Sequence, residues 1–270
     1  MSGRSEVAAA VRAYPSLLRA GFAAAVAYRA EFLVWMFTTN MPLVMLALWA
    51  AVARSGPVAG YTARGFTAYY LVTLLARLMT GCWVVWALTF EIREGTLAMR
   101  LLRPIHPLLA YSAENLAAMP LRMVISLPII AVLLFTARAE LTTDWLSLVL
   151  VLPSLLGAFL ILFFVQALVG TLALYFESAG SLFSVWLTFS AVLSGYLIPL
   201  DLFPPAIRAA AEVLPFRFTL SYTVELVLGR LDHAHALALL GAQWTYVVAA
   251  ALAVRLVWNA GLRRFGAFGG

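Results

Sequence analysis

Residues 90–103 read FEIREGTLAMRLLR, so the carboxylates of Glu91 and Glu94 stand in one short stretch with the guanidinium groups of Arg93, Arg100 and Arg103. Pro104 and Pro107 close the stretch. Groups of both signs at this density suit either charge-assisted recognition of another surface or an ordinary solvated connection whose arginines set orientation. They do not suit bond-making chemistry, because no serine or cysteine in the chain has a base at a readable spacing. His106, between those two prolines, reads as part of a contact surface rather than as a base. His233 and His235 flank Ala234 just after Asp232. A two-residue step aligns two imidazoles only in an extended strand, and no third ligand is apparent, so the pair reads as a solvated loop and no metal is expected. The single cysteine, Cys82, excludes disulfide frameworks and four-cysteine metal sites.

What is missing is equally informative. All eighteen basic residues are arginine, and there is no lysine. An ATP-binding loop needs G-x-x-x-x-G-K-[ST], in which the lysine reaches the terminal phosphates. This chain holds no ATP or Mg of its own by that route, and a polypeptide driven by ATP would have to borrow the nucleotide from a partner. The twelve acids fall at the edges of apolar runs or in the connections between them. A proton-coupled carrier needs a carboxylate buried at mid-membrane, so that mechanism is disfavoured.

The elements that position these groups are set by composition. The chain is 64% hydrophobic and 11% charged over 270 residues. A soluble domain carries about 25% charged residues, so the solvent of this chain is mostly lipid. The spacing predicts an all-α polytopic protein, one transmembrane domain over 1–270, with six spans at 32–53, 66–88, 117–137, 146–174, 180–199 and 239–259. Six spans put both termini on one side. Eleven arginines fall on the N-terminal side and six on the other, with Arg77 inside span two, which favours N-in and C-in. This arrangement explains the +6 charge better than nucleic acid does, because the arginines flank apolar runs instead of clustering. The first thirty residues carry four arginines and no compact apolar region, so no cleavable signal is expected.

Between the spans, residues 1–29 predict a cytoplasmic interface helix. Val11, Tyr14, Leu18, Phe22 and Val26 recur at helical steps, and Pro15 suits a first turn. Residues 89–115 form a cytoplasmic segment. Residues 200–238 form an outer segment, broken by Pro204, Pro205 and Pro215, in which PPAIRAAAEVL has the apolar spacing of a short helix.

Arg77 lies near the middle of span two. A charge there costs at least ~2.5–3.5 kcal/mol, so it must face protein or a wet cavity. One reading pairs it with Asn40, Gln166 or a backbone carbonyl. The other has it line a transport path and meet an anionic or highly polar group.

Two runs carry a resemblance. Glu94-Gly95-Thr96-Leu97 with Leu101-Leu102-Arg103-Pro104 is similar to the connection between spans two and three in permease subunits of ABC-2-type exporters, in the branch whose permeases are encoded in pairs. Ser194-Gly195-Tyr196-Leu197-Ile198-Pro199, then Leu202-Phe203-Pro204, Leu214-Pro215-Phe216 and Gly229, resembles that family's segment after span five. Asp201 and Pro205 are mild departures. The resemblance implies a dimer with a second permease or a second copy, resting on a cytoplasmic nucleotide-binding ATPase in the bacterial inner membrane. It also implies that the short helix between spans two and three docks on that ATPase, with Glu91, Glu94, Gly95, Arg100 and Arg103 as the coupling residues. Spans two and five would line the path, and ATP and Mg would sit on the partner.

The expected function is export of a hydrophobic or amphipathic cargo, such as a lipid, a glycoconjugate or a drug-like molecule, with no catalysis on this chain. A membrane anchor or accessory subunit for an ATPase is the alternative. A secondary carrier is disfavoured by the missing intramembrane carboxylate.

Overall fold

The computed structural model describes residues 3–27, 41–103, 105–176 and 179–267. Regular structure among them is helical, apart from one isolated bridge between Val58 and Tyr61. Helix α1 (Gly3–Ala27) is followed by α2 (Met41–Val52), α3 (Ala63–Thr80), α4 (Val84–Arg93) and the short α5 (Leu97–Leu101). Then come α6 (Pro107–Ala117), α7 (Met119–Ala137), α8 (Trp145–Thr171) and α9 (Ala179–Leu193). The chain ends with α10 (Pro205–Val213), α11 (Ser221–Val227) and the long α12 (His233–Ala267).

Four stretches are long and apolar enough to cross a membrane: 63–93 (α3 with α4), 107–140 (α6 with α7), 145–174 (α8) and 233–263 (most of α12). They fall on expected spans two, three, four and six. The first two run well past the expected 66–88 and 117–137. Expected spans one and five hold shorter apolar helices, Met41–Ser55 and Ala179–Leu193. A helix of 15 residues rises about 22 Å, short of a hydrocarbon core ~30 Å thick. Residues 32–40 of span one, Asn40 included, lie outside the described residues, as do Pro104, Glu31 and Glu177.

The helix ends follow local chemistry. The Thr62 side chain accepts the Gly65 N–H and starts α3, and Asp144 does the same for α8 through Ser147 N–H. Pro107 and Pro205 open α6 and α10, where a missing N–H costs nothing. Asp232 accepts the His235 N–H at 3.2 Å at the start of α12. The expected solvated His233–His235 loop is therefore the first turn of a helix, and His233 Nε2 lies 3.1 Å from Asp144 Oδ1. No group of three or more metal-ligating side chains occurs among the described residues.

Packing centres on α8, which touches α3, α4, α9, α11 and α12. One apolar cluster joins α3 with Leu133 and Ala137 of α7 and Val224 of α11. A second joins Val84 and Leu88 of α4 and Leu97 of α5 with Tyr111 of α6, Phe159, Phe163 and Ala167 of α8, and Val254 and Trp258 of α12. A third holds α8, α11 and α12 together around Ile161, Tyr222 and Val247.

Helix α1 lies along α6. A Cβ on Gly21 would meet the Ala117 Cβ at 2.8 Å, so only glycine permits this approach. The Tyr14 and Ser112 hydroxyls are hydrogen-bonded at 3.0 Å. Pro15 lies inside α1 rather than in its first turn, because the helix already begins at Gly3. Of its apolar stripe, Tyr14 and Leu18 are half-buried and Phe22 and Val26 are exposed outside the packed helices.

Candidate functional site

The charged stretch at 90–103 forms a compact turn. Helix α4 ends where Glu94 N–H bonds the Phe90 carbonyl, and Gly95 follows at φ +71°. That left-handed conformation strains any residue with a Cβ, so Gly95 is needed for the turn itself. Leu97 is fully buried and pins α5 against the second cluster. Beyond it, Met99 and Leu102 project outward, 68% and 80% exposed.

Glu91 and Arg100 lock this turn from inside. Arg100 donates Nη2 to Glu91 Oε1 at 2.6 Å and Nε to Glu91 Oε2 at 2.9 Å. The Tyr111 hydroxyl donates to Glu91 Oε2 at 2.6 Å, and Arg100 Nη1 donates to Glu114 Oε1 at 2.7 Å. The guanidinium carbon also stands 4.1 Å from the centre of the Tyr111 ring. Burial works against the charge on Arg100, yet Glu91 and Glu114 hold its pKa above the ordinary arginine value. The fork-to-fork geometry is the strong form of this interaction.

The five expected coupling residues therefore divide. Glu91 and Arg100 spend their donors and acceptors within the chain, and Gly95 shapes the turn. Glu94 and Arg103 are exposed and free to meet a second surface.

Arg77 lies near the C-terminal end of α3, half-buried, with its guanidinium carbon 4.9 Å from the centre of the Tyr196 ring. Gln166, an expected partner, is engaged elsewhere: it donates Nε2 to Cys82 O at 2.9 Å and accepts Val85 N–H at 3.4 Å. The turn bearing Tyr196 is tied to α3 by Tyr69, which donates to Gly195 O at 2.7 Å, and Tyr70, which donates to Leu197 O at 2.8 Å.

Sequence reading missed two further polar constellations. Arg122 is one of the eleven arginines counted on the N-terminal side, as an orienting charge. It is instead 2% exposed and donates Nη1 to Gly81 O at 2.6 Å. Near the N-terminal end of α3, Arg208, Arg217 and Arg230 are not simple loop charges. Arg217 pairs with Glu225 at 2.6 Å, and Arg208 with Asp201 at 3.0 Å and Glu212 at 2.8 Å. Arg230 lies over the Tyr61 ring at 3.5 Å. These groups line a cavity of about 620 Å³. The mixture of acids and arginines at 201–232 was the available signal, but the residues that pair are up to 29 apart in sequence.

A family model described as ABC-2 family transporter protein matches residues 35–269. No curated protein and no solved structure matches the chain.

Proposed function

Because the chain belongs to the ABC-2 transporter family, we propose that it is the permease subunit of an ATP-driven exporter, coupled to a separate cytoplasmic ATPase through residues 91–103. The observation that carries this reading is the form of that segment. A largely buried ion pair braces the turn from within while Met99, Leu102, Glu94 and Arg103 face outward. An apolar patch rimmed by charge, on a turn that cannot collapse, has the anatomy of a docking site.

The remainder of the reading follows from it. Six spans, with α2 and α9 as the two shorter ones, place both termini in the cytoplasm of a bacterial inner-membrane protein. The permease pairs with a homologous subunit or a second copy. ATP and Mg bind the partner, whose closure pulls on 91–103 and switches the path between inward and outward access. Arg77 faces that path, which disfavours a cationic cargo and favours an anionic lipid or a polar conjugate.

The test is ATP hydrolysis by the reconstituted complex in vesicles of defined lipid composition, assayed with and without candidate amphipathic cargo. An exporter shows hydrolysis stimulated by cargo. An accessory anchor shows none, and a secondary carrier moves cargo along an ion gradient without the ATPase.

A further inference from the structure

The membrane-spanning stretch 63–93 is not one helix. It stops at Thr80, resumes at Val84, and leaves Gly81, Cys82 and Trp83 outside either helix. A break in lipid strands backbone groups that nothing but protein can satisfy. Here three side chains from other helices do so. Arg122 donates to Gly81 O at 2.6 Å, placing a cation at the C-terminus of α3, where the helix dipole favours it. Asn115 accepts Trp83 N–H at 3.1 Å, and its own Nδ2 is anchored on Tyr111 O at 2.8 Å. Gln166 caps from the other side, donating to Cys82 O and accepting Val85 N–H. Gly81 has φ −54° and ψ 133°, open to any residue, and an added Cβ would meet nothing closer than 3.5 Å. The break is thus held by its partners rather than by glycine.

Two further observations give it mechanical meaning. Helix α3 belongs to the first apolar cluster and α4 to the second, so the break lies where this stretch passes from one cluster to the next. The neighbouring stretch 107–140 is interrupted at the same level, because Ala118 separates α6 from α7 between Asn115 and Arg122. Asn115 on α6 serves the start of α4, whereas Arg122 on α7 serves the end of α3.

We propose that Arg122, Asn115 and Gln166 are positioning residues of a joint, at which the unit α4–α5–α6 can tilt against α3 and α7 without losing a backbone hydrogen bond. The joint stands on geometry; its use in coupling rests on the permease reading. A rigid continuous helix would have to carry any pull on α5 along its whole length. With the joint, the pull reorients α4 while α3 stays packed.

Amide hydrogen exchange of the full chain in lipid nanodiscs tests the joint directly. Asn115→Leu should speed exchange at 82–88 about tenfold, the effect of one lost hydrogen bond, Gln166→Leu, which loses two, at least as much, and both should leave 66–78 at the wild-type rate. Arg122→Met should loosen 79–83, and Arg122→Lys, which keeps a donor, should restore it. Unchanged exchange, or an equal rise in both segments, overturns the joint. If the leucine variants do not fold, the Arg122 pair decides. Coupling is read in the complex with the ATPase, in a Cys82→Ala background, from spin-label distances on ATP and vanadate addition. The Phe90–Phe135 distance should change and the Leu48–Phe135 distance should not. Equal changes in both overturn the joint. No change in either overturns the coupling reading, while the exchange data still decide the joint.

Discussion

Glu91 Oε1 lies 2.6 Å from Arg100 Nη2, across the turn that joins α4 to α5. Both side chains are largely buried, so each depends on the other to remain satisfied. Glu91→Ala should therefore cost about 1.5–3 kcal/mol, the worth of a hydrogen-bonded charge, and should loosen α5 locally. Thermal unfolding gives the first quantity and exchange of residues 97–103 the second. Glu91→Ala combined with Arg100→Met should recover part of the loss, because no unpaired charge is left behind.

Glu94 separates shape from contact. Its side chain is exposed, so Glu94→Arg should change stability by no more than about 0.5 kcal/mol. It should nonetheless abolish cargo-stimulated ATP hydrolysis by the complex. Persistence of both hydrolysis and export in this variant would return the turn to being an ordinary connection. Glu91→Arg should lose stability and coupling together, and that contrast identifies which carboxylate faces the partner.

Arg77 and Tyr196 make the sharpest distinction between structure and path. Removal of either partner should cost about 0.5–2 kcal/mol, the range of a cation–π contact. If Arg77 meets an anionic cargo group, Arg77→Ala should abolish export of anionic lipids in proteoliposomes, while Tyr196→Leu, at similar stability, retains it. Equal export in the two variants would mark the arginine as structural.

The fold was largely legible because lipid forces apolar runs of span length into the sequence. Periodicity and composition locate α3, α7, α8 and α12 without any contact information. What escaped is non-local. Arg122 reads as a boundary charge because its acceptor, the Gly81 carbonyl, is 41 residues away and becomes an orphan only where the helix breaks. Glu91 reads as a surface residue for a similar reason, since Tyr111 reaches it only after α6 folds back. Glu94 and Arg103, by contrast, are exposed, because nothing distant claims those side chains.

Asp144 predicts a pH dependence. The Ser147 backbone N–H and hydroxyl, and after them His233, hold its carboxyl below the ordinary aspartate range. A depressed pKa adds stability above the unfolded value of about 3.9, and that contribution is lost as pH falls through the lower folded value. The first turn of α8 should therefore fray only in acid, seen as faster exchange at 145–149 after correction for intrinsic rates. Asp144→Asn, which still caps but carries no charge, should remove the pH dependence and leave the cap in place.

Arg217 and Glu225 supply the largest expected stability effect. Their side chains are 7% and 13% exposed, and Ser221 adds a hydroxyl bond to the same carboxylate at 2.7 Å. Glu225→Ala strands a buried guanidinium and should cost about 3–5 kcal/mol, whereas Glu225→Leu with Arg217→Met should cost far less. The asymmetry separates the pair from a simple packing contact, in which the double variant would be the worse of the two. Equilibrium unfolding in mixed micelles reads both values. Additive losses would show that the two charges are satisfied independently, by the other acids and arginines around the cavity.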